Sequence, residues 1–266
     1  MILSSAIAAA RRYFTGMFFY PDVDDFGSPG DLGITFEDVH FKSGVADLHG
    51  FLMRAAAPAR GLILHCHGNA GNVTSHTSQV RFLVEAGYDV LTFDYAGFGR
   101  SSGQPSLPGI EDDARAALAF LLTRTDLPLD RIAVFGQSLG GAAAAAAAIH
   151  PAVRALILEA TFTTYRHIAW STVIGRSLFF LVPGVIPDGG PARQLKAFAP
   201  RPVLLIHGEA DSVVSHRFSR RLHSMFPAFT TLETQADVGH LTPGATETSP
   251  FRNTVLIFLD RHLGRH

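Results

Sequence analysis

A serine flanked by glycines follows a short apolar run near the middle of the chain. Residues 136–140 read Gly-Gln-Ser-Leu-Gly, a G-x-S-x-G pattern centred on Ser138. The apolar run at residues 132–135 predicts a buried strand, and the alanines that follow the pattern predict a helix. A sharp strand-to-helix turn crowds the backbone, so glycine is needed beside the serine and the hydroxyl is left exposed. The pattern therefore predicts a nucleophilic Ser138, which needs a base to remove its proton.

A second match to the pattern, at residues 99–103, is centred on Ser101. Ser101 lies several residues beyond the preceding apolar run and is followed by Gln104-Pro105, where a helix cannot begin cleanly. The strand–turn–helix context therefore favours Ser138 as the nucleophile. We interpret residues 94–103 as a glycine-rich loop that lines the site. They do not match a dinucleotide-binding fingerprint, because the last glycine and the following helix are missing.

Two polar residues that could activate Ser138 follow later apolar runs. Asp211 comes just after a predicted strand at residues 203–206, and His240 lies between the last predicted strand and the last predicted helix. The chain order serine, acid, histidine is that of hydrolases built on an open α/β sheet. In such a catalytic triad, His240 is the general base and then the general acid, and Asp211 orients and stabilises it.

Acyl transfer also needs backbone N–H groups that stabilise the oxyanion of the tetrahedral intermediate. One comes from the residue after the nucleophile, which is Leu139 here. The other comes from the loop after an earlier strand, and residues 67–72, His-Gly-Asn-Ala-Gly-Asn, follow the predicted strand at residues 61–64. We assign the second oxyanion-hole donor to Asn69, with Ala70 beside it as a substrate-binding residue.

Short apolar runs alternate with longer helical patterns, which predicts an α/β fold with a mostly parallel central sheet and helices on both faces. The predicted strands cover residues 34–41, 48–53, 61–64, 88–93, 132–135, 153–158, 203–206 and 229–232, the first two as an antiparallel pair. The predicted helices cover residues 73–86, 110–122, 139–149, 218–226 and 251–263. The helix at residues 110–122 would hold Glu111, Asp112 and Asp113 in its first turn, where the helix dipole favours acids.

One long stretch, residues 161–200, shows no clear strand but is rich in apolar residues. A connection of this length inside a domain is usually functional, and its apolar side chains predict packing rather than disorder. We interpret it as a small helical lid, with Phe179 and Phe180 as substrate-binding walls of an acyl pocket above Ser138. The predicted organisation is an N-terminal apolar helix and lead-in at residues 1–30 and one hydrolase domain at residues 31–266, with the lid inserted at about residues 161–200.

The composition excludes several classes of protein. Of 266 residues, 47% are hydrophobic and 17% are charged, which is too apolar for a disordered chain. The net charge of −1 provides no excess of positive charge that would attract nucleic acid, so a small neutral or apolar substrate is expected. The single Cys66 excludes an internal disulfide framework. The sequence carries no signature of a particular oligomeric state.

The N-terminal residues are apolar, and Arg11-Arg12 follow them. A secretory signal has its positive charge before the apolar run, so the order here is wrong for one. The run is also far shorter than the roughly 20 residues that span a bilayer. We therefore expect a cytoplasmic protein with a frayed N-terminal helix, and peripheral membrane contact through this segment stays open as the alternative.

The tripeptide His65-Cys66-His67 contains three residues of metal-ligating type. Strand alternation places the two histidines on one face and Cys66 on the other, so three ligands do not converge. We expect no metal and no cofactor, and we expect His67 to brace the loop at residues 67–72.

Four motifs together resemble the α/β-hydrolase superfamily. They are the segments 67–72 (HGNAGN), 94–99 (DYAGFG), 136–140 (GQSLG) and 207–211 (HGEAD). The first is similar to the branch that contains Bem46-like proteins, serine-aminopeptidase-like hydrolases and ABHD-type hydrolases. The resemblance covers the chain from about residue 36 to the C-terminus. It implies an enzyme such as a carboxylesterase, an acyl-protein thioesterase or a lipase, and many such enzymes carry a hydrophobic N-terminal anchor.

We therefore interpret the chain as a serine hydrolase that cleaves carboxylic esters through an acyl-enzyme on Ser138. An acyl-protein or lipid thioesterase is the nearest alternative. An aminopeptidase is less favoured, because no acidic cluster is evident that would hold a substrate ammonium group. A non-catalytic binding protein on the same fold is disfavoured by the presence of all three triad residues.

Overall fold

An eight-stranded sheet and a separate two-stranded sheet organise the chain. The computed structural model describes residues 16, 18–56, 58–171, 186–241 and 250–264. The strands are β1 (Tyr20–Pro21), β2 (Phe36–Ser43), β3 (Ala46–Met53), β4 (Gly61–Cys66), β5 (Ala70–Gly71), β6 (Tyr88–Phe93), β7 (Ile132–Gln137), β8 (Val153–Glu159), β9 (Val203–Gly208) and β10 (Thr230–Gln235). The described helices are α1 (Val73–Glu85), α2 (Leu107–Leu122), α3 (Gly140–Ala148), α4 (Tyr165–Ser171), α5 (Pro191–Phe198), α6 (Arg217–Met225) and α7 (Pro250–Leu263), with a 3₁₀ turn at Pro29–Leu32.

The strand order in the main sheet is β10-β9-β8-β7-β4-β6-β3-β2. Strands β2 and β3 form an antiparallel hairpin at one edge, β3 pairs antiparallel with β6, and the other neighbours are parallel. The structure confirms the predicted mostly parallel α/β sheet and its antiparallel pair. Strands β4, β6, β7 and β9 are buried along their whole length, which explains why they read as continuous apolar runs.

Two apolar clusters cover the two faces of the sheet. One contains α2 and α3, and the other contains α1 and α7. Helix α3 is buried throughout, and a Cβ at Gly136 of β7 would collide with Ala144 of this helix. The alanines of α3 therefore let the helix lie directly against the strand that leads into Ser138.

Helix α2 begins one turn earlier than predicted, so the expected place of its acidic residues is wrong. The side chain of Ser106 caps the helix by accepting a hydrogen bond from Gly109 N–H, and Pro108 lies in the first turn. Glu111 and Asp113 consequently lie beyond the first turn and are buried. Asp113 accepts a hydrogen bond from Ala96 N–H at 2.9 Å, so its carboxylate holds the loop after β6 rather than facing the helix dipole.

The segment at residues 18–27 packs against the loop at residues 67–72. Strand β1 pairs in parallel with β5, and Tyr20 N–H donates to the Asn69 carbonyl at 2.8 Å. Phe19 is buried with its ring edge against Phe98. The Asn72 side-chain amide donates to the carbonyls of Asp22 and Asp24, and its oxygen accepts from Thr74 N–H. This N-terminal segment therefore helps to fix the loop that precedes α1.

The described parts of the long insertion contain the short helices α4 and α5. Tyr165 of α4 is buried, and its hydroxyl donates to the Leu107 carbonyl and to Glu111, which fastens α4 to α2. Phe179 and Phe180 lie outside the described residues. Within the described part of the chain, no helix combines the length and apolarity needed to cross a membrane.

We predict that Asn72→Ala lowers the free energy of unfolding by about 1–2 kcal/mol, because it removes the cap of α1 together with the two bonds to the N-terminal segment. Urea denaturation followed by circular dichroism would measure the change. Asn253→Ala, at an exposed position inside α7, is the matched control and should not destabilise the protein. Equal stability of the wild type and Asn72→Ala would contradict this role for Asn72.

Candidate active site

Ser138 lies on a strained turn between β7 and α3. Its φ angle is +53°, in the left-handed region that residues other than glycine rarely adopt. A Cβ at Gly140 would collide with the carbonyl oxygens of Cys66 and His67, so the start of α3 passes directly over the end of β4. This is the crowding that the G-x-S-x-G pattern predicts.

Hydrogen bonds from the neighbouring strand hold the turn in place. Ser138 N–H donates to the Glu159 carbonyl at 2.8 Å, and the Thr161 hydroxyl donates to the Ser138 carbonyl at 2.8 Å. Because both backbone groups of Ser138 are engaged by β8 and the residues after it, its hydroxyl is held at the carboxyl end of the sheet. Ligands and chemistry are expected at this end of an open α/β sheet.

The structure brings Ser138, Asp211 and His240 together. His240 Nε2 lies 3.1 Å from Ser138 Oγ, and His240 Nδ1 lies 2.7 Å from Asp211 Oδ2. An ionised carboxylate can only accept, so Nδ1 carries the proton of the neutral imidazole and donates it to Asp211. Nε2 is then free to accept the hydroxyl proton of Ser138, which is the arrangement that a general base needs.

Asp211 is buried, yet its carboxylate has four donors. Oδ1 accepts from the N–H groups of Val213 and Val214, both at 2.8 Å, and Oδ2 accepts from His240 and from His207 Nε2 at 3.1 Å. Burial alone would raise the pKa of Asp211, but the hydrogen bonds from His207, His240 and Val214 outweigh it and hold the pKa well below its ordinary value. The group is therefore a carboxylate at neutral pH.

His207 is a site residue to which the sequence analysis gave no role. Its Nε2 lies 2.8 Å from the Val214 carbonyl, which can only accept, so this nitrogen carries a proton that Asp211 shares. Nδ1 then accepts from the Ser219 hydroxyl at 2.7 Å. His207 is completely buried and fixes the position of Asp211. The available signal was a histidine at the end of an apolar strand, four residues before the acid.

The loops that carry Asp211 and His240 are joined by their backbones. Glu209 N–H donates to the Gln235 carbonyl at 2.7 Å, and Ala210 N–H donates to the Val238 carbonyl at 3.1 Å. A Cβ at Gly208 would collide with the Val238 carbonyl, so only glycine allows the two loops to approach this closely. This contact fixes the separation between the acid and the histidine.

The candidate oxyanion donors lie on the two segments that flank Ser138. Leu139 follows it directly and is buried, and its N–H has no hydrogen-bond acceptor within the described part of the chain. Gly68 lies against Ser138, since a Cβ at Gly68 would be 3.8 Å from the serine Cβ. Asn69 follows Gly68, and its N–H also has no acceptor among the residues described. Ala70 is exposed and belongs to β5.

The loop at residues 67–72 is braced by His67. Its Nδ1–H donates to the Gly68 carbonyl at 2.8 Å, and the Tyr95 hydroxyl donates to the His67 carbonyl at 2.9 Å. The ring of His67 stacks on His76, whose Nε2–H donates to the Ala70 carbonyl at 2.8 Å. These contacts pin the backbone on both sides of Asn69.

The three residues of the tripeptide 65–67 have separate partners. His65 binds Thr92 and Gln137, Cys66 lies in the apolar core, and His67 binds the Gly68 carbonyl. Burial raises the pKa of the Cys66 thiol, which keeps it protonated. The three side chains therefore do not form one ligand set.

A series of side-chain hydrogen bonds next to the turn at Ser138 was not predicted from the sequence. Gln137 donates from Nε2 to Glu159 at 2.8 Å, and its oxygen lies 2.9 Å from His65 Nε2. Burial lowers the pKa of His65 to about 3, although the bond to Gln137 opposes the shift, so His65 is neutral at working pH. Burial likewise raises the pKa of Glu159 above its ordinary value. These hydrogen bonds tie Gln137, the residue before Ser138, to strands β4 and β8.

Ser101, the second serine of matching pattern, is engaged elsewhere. It is buried, its hydroxyl donates to the Asp94 carbonyl at 2.8 Å, and it accepts from His49 N–H at 2.9 Å. These bonds tie the loop after β6 to strand β3. The hydroxyl therefore has a structural role, and its two partners are backbone groups rather than a side-chain base.

A family model for the alpha/beta hydrolase fold matches residues 61–181. The uncharacterized protein YfhR of Escherichia coli K12 is 32% identical over 232 residues, covering 84% of this chain and 79% of the relative. The chain belongs to the α/β-hydrolase family. Protein bem46 of Schizosaccharomyces pombe is 28% identical over 205 residues, covering 70% of this chain and 64% of that protein, which is consistent with the Bem46-like branch.

Solved structures show the same α/β-hydrolase fold. An esterase of Pyrococcus furiosus superposes with a TM-score of 0.71 at 20% sequence identity, covering 93% of this chain and 99% of that one. A Butyrivibrio proteoclasticus protein, Est1E, solved with bound ferulic acid, superposes with a TM-score of 0.69 at 20% identity, covering 85% of this chain and all of that one. At these identities the likeness concerns the fold alone.

We predict that a fluorophosphonate probe labels Ser138 and leaves Ser101 unlabelled, because of these two hydroxyls only that of Ser138 has a side-chain base within hydrogen-bonding distance. Mass mapping of the adduct would decide this. Ser138→Ala should abolish labelling, whereas the matched control Ser101→Ala should retain it. An adduct on Ser101 would overturn the choice of nucleophile.

We predict that Asp211→Asn lowers kcat by about 10⁴-fold with the fold intact, because an amide cannot hold the imidazole in the required tautomer. Steady-state kinetics with an activated ester would measure the change, and circular dichroism would confirm folding. Asp237→Asn is the matched control: Asp237 is exposed, and its loss should leave kcat unchanged. A near-normal kcat in Asp211→Asn would mean that another carboxylate orients His240.

Proposed function

We propose that this α/β-hydrolase cleaves carboxylic esters through an acyl-enzyme on Ser138. The observation that carries the proposal is the position of His240, whose two ring nitrogens contact Ser138 at 3.1 Å and Asp211 at 2.7 Å. A serine, a base and an orienting acid in hydrogen-bonding distance define the role of each residue in acyl transfer. The fold likeness to an esterase supports the same class of chemistry.

The first half of the reaction forms the acyl-enzyme. His240 Nε2 removes the proton of Ser138 as Oγ attacks the carbonyl carbon of the ester, and the carbonyl electron pair moves to oxygen. The N–H groups of Leu139 and Asn69 stabilise that oxyanion. Collapse of the tetrahedral intermediate breaks the carbon–oxygen bond, and His240 gives its proton to the departing alkoxide.

Water completes the second half by the same steps. His240 removes a proton from water, the hydroxide attacks the acyl carbon, and collapse releases the carboxylic acid while His240 returns the proton to Ser138. The Asp211 carboxylate stays ionised at neutral pH, because hydrogen bonds hold its pKa below the ordinary value, so it can stabilise the imidazolium that forms on His240 in each half of the reaction.

We propose that the substrate is a small ester with an apolar acyl group. Leu241 lies against Gly68 beside Ser138, since its side chain would be 3.6 Å from a Cβ at Gly68. Phe179 and Phe180 of the insertion would complete an apolar acyl wall. Burial of acyl methylenes there contributes about 0.8 kcal/mol each at most.

We predict hydrolysis of p-nitrophenyl esters whose kcat/KM rises by up to about fourfold for each added methylene until the pocket is full, and then drops. The double variant Phe179→Ala/Phe180→Ala should flatten this dependence and leave acetyl ester hydrolysis largely intact. Phe26→Ala, an exposed phenylalanine on the N-terminal segment, is the control and should keep the wild-type profile.

Two results would count against the proposal. Absence of ester hydrolysis by a protein that is folded would overturn ester cleavage itself. An equal loss on acetyl and longer esters in the double variant would remove Phe179 and Phe180 from the acyl pocket, while leaving the chemistry at Ser138 in place.

A further inference from the structure

The β2–β3 hairpin carries a second cluster of chemically active side chains, at the edge of the sheet. His40 of β2 is paired in register with His49 of β3. Asp38 lies two residues before His40 on the same strand, so all three side chains project from one face of the hairpin. Each offers one possible ligand atom, and these atoms lie within 4.8 Å of one another. Among the residues described, no other group of three meets this condition.

His49 is the unusual member of the cluster. Its side chain is fully buried, yet neither ring nitrogen has a hydrogen-bond partner. Nε2 lies 3.1 Å from Asp38 Oδ1 but without the geometry of a hydrogen bond, and Nδ1 lies 3.6 Å from Asp94 Oδ2, beyond hydrogen-bonding distance. Leaving a polar nitrogen buried without a partner destabilises the folded state, so such groups usually serve a ligand or a function.

We propose that Asp38, His40 and His49 bind a divalent transition-metal ion of the zinc class on the β2–β3 hairpin. Two imidazole nitrogens and one carboxylate oxygen form a common ligand set for zinc. In tetrahedral coordination with bonds of about 2.0–2.2 Å, ligand atoms lie about 3.3–3.6 Å apart. Asp38 Oδ1 lies 3.1 Å from His49 Nε2 and 3.7 Å from His40 Nε2, which is close to this spacing.

The exposure of the cluster fits a site that can load from solvent. The side chains of His40 and Asp38 are 54% and 42% exposed, whereas that of His49 is fully buried. Water would occupy the fourth position on the exposed side.

The surroundings of the cluster would hold its ligands in place. Arg100 donates to Asp38 Oδ2 at 2.9 Å, which neutralises that oxygen and leaves Oδ1 for the ion. Asp94 faces Nδ1 of His49 from the opposite side of the ring. A carboxylate behind a metal-binding imidazole fixes its tautomer and raises its basicity.

Asp94 also connects this cluster with the candidate active site. Its other oxygen, Oδ1, accepts from Val73 N–H at 2.7 Å, at the start of α1, and lies 3.7 Å from His67 Nε2. His67 is the first residue of the loop at residues 67–72, which carries Asn69, and α1 follows that loop directly. A bound metal ion would therefore order the β2–β3 hairpin. Asp94, which is buried, would connect this hairpin with the loop at residues 67–72.

The proposal is tested by zinc titration of the full chain after removal of any affinity tag. Isothermal titration calorimetry would measure affinity and stoichiometry, and the visible spectrum of added Co²⁺ would report tetrahedral coordination. The variants are His40→Ala and Asp38→Asn, with His150→Ala, an exposed histidine remote in sequence and outside the cluster, as the matched control. Since His240 could also bind zinc, it is kept intact in every protein compared.

We expect the wild type and His150→Ala to bind zinc equally, and His40→Ala and Asp38→Asn to bind it about tenfold or more weakly, with loss of the tetrahedral Co²⁺ bands. Thermal unfolding without metal would confirm that the variants are folded. Unchanged zinc affinity in His40→Ala, or absence of zinc binding by the wild type, would overturn the proposal. The readout is metal binding, so it is independent of ester hydrolysis.

Discussion

The contact between the end of β4 and the start of α3 is the constraint on which the rest of the site depends. Gly140 lies so close to the carbonyls of Cys66 and His67 that no side chain fits between them. This approach forces the left-handed backbone at Ser138 and places the loop of residues 67–72 directly beside the serine. One close contact therefore positions both the nucleophile and the segment that would stabilise its oxyanion. The all-alanine surface of α3 serves the same contact by letting the helix lie against β7.

The second half of the site depends on β9 and β10 in a different way. These strands are parallel neighbours, so the loops that follow them emerge at the same edge of the sheet. Backbone hydrogen bonds then join the loops, and Gly208 permits their close approach. A buried carboxylate without partners would be strongly destabilising, and the four donors around Asp211 offset that cost. The position of His240 thus follows from sheet register together with the hydrogen bonding of a buried charge.

Local sequence signals were sufficient to predict the eight strands of the main sheet, the turn at Ser138 and the residues that adjoin it. Each of these features depends on a nearby pattern of glycines and apolar residues. Features that depend on distant contacts were not predictable in the same way. The pairing of Tyr20 with Ala70, the donor role of His207 and the cluster around His49 all require knowledge of which strands are neighbours. The start of α2 was misplaced because Ser106 caps it one turn before the apolar periodicity becomes clear.

Three carboxyl groups lie at or just after the carboxyl ends of strands of the main sheet: Asp94 and Asp211, which are buried, and Glu159, which is partly buried. Their surroundings explain why one of them orients the histidine. Asp94 accepts from Val73 N–H and faces two histidines, so it serves the hairpin and the start of α1. Glu159 is bonded to Gln137, and burial raises its pKa. Asp211 bonds directly to His240, and its hydrogen bonds hold its pKa below the ordinary value. An imidazolium forms during acyl transfer, and only a carboxylate that stays ionised beside it can stabilise that charge. The hydrogen-bond donors around each carboxyl group, rather than its place at a strand end, therefore determine its chemical role.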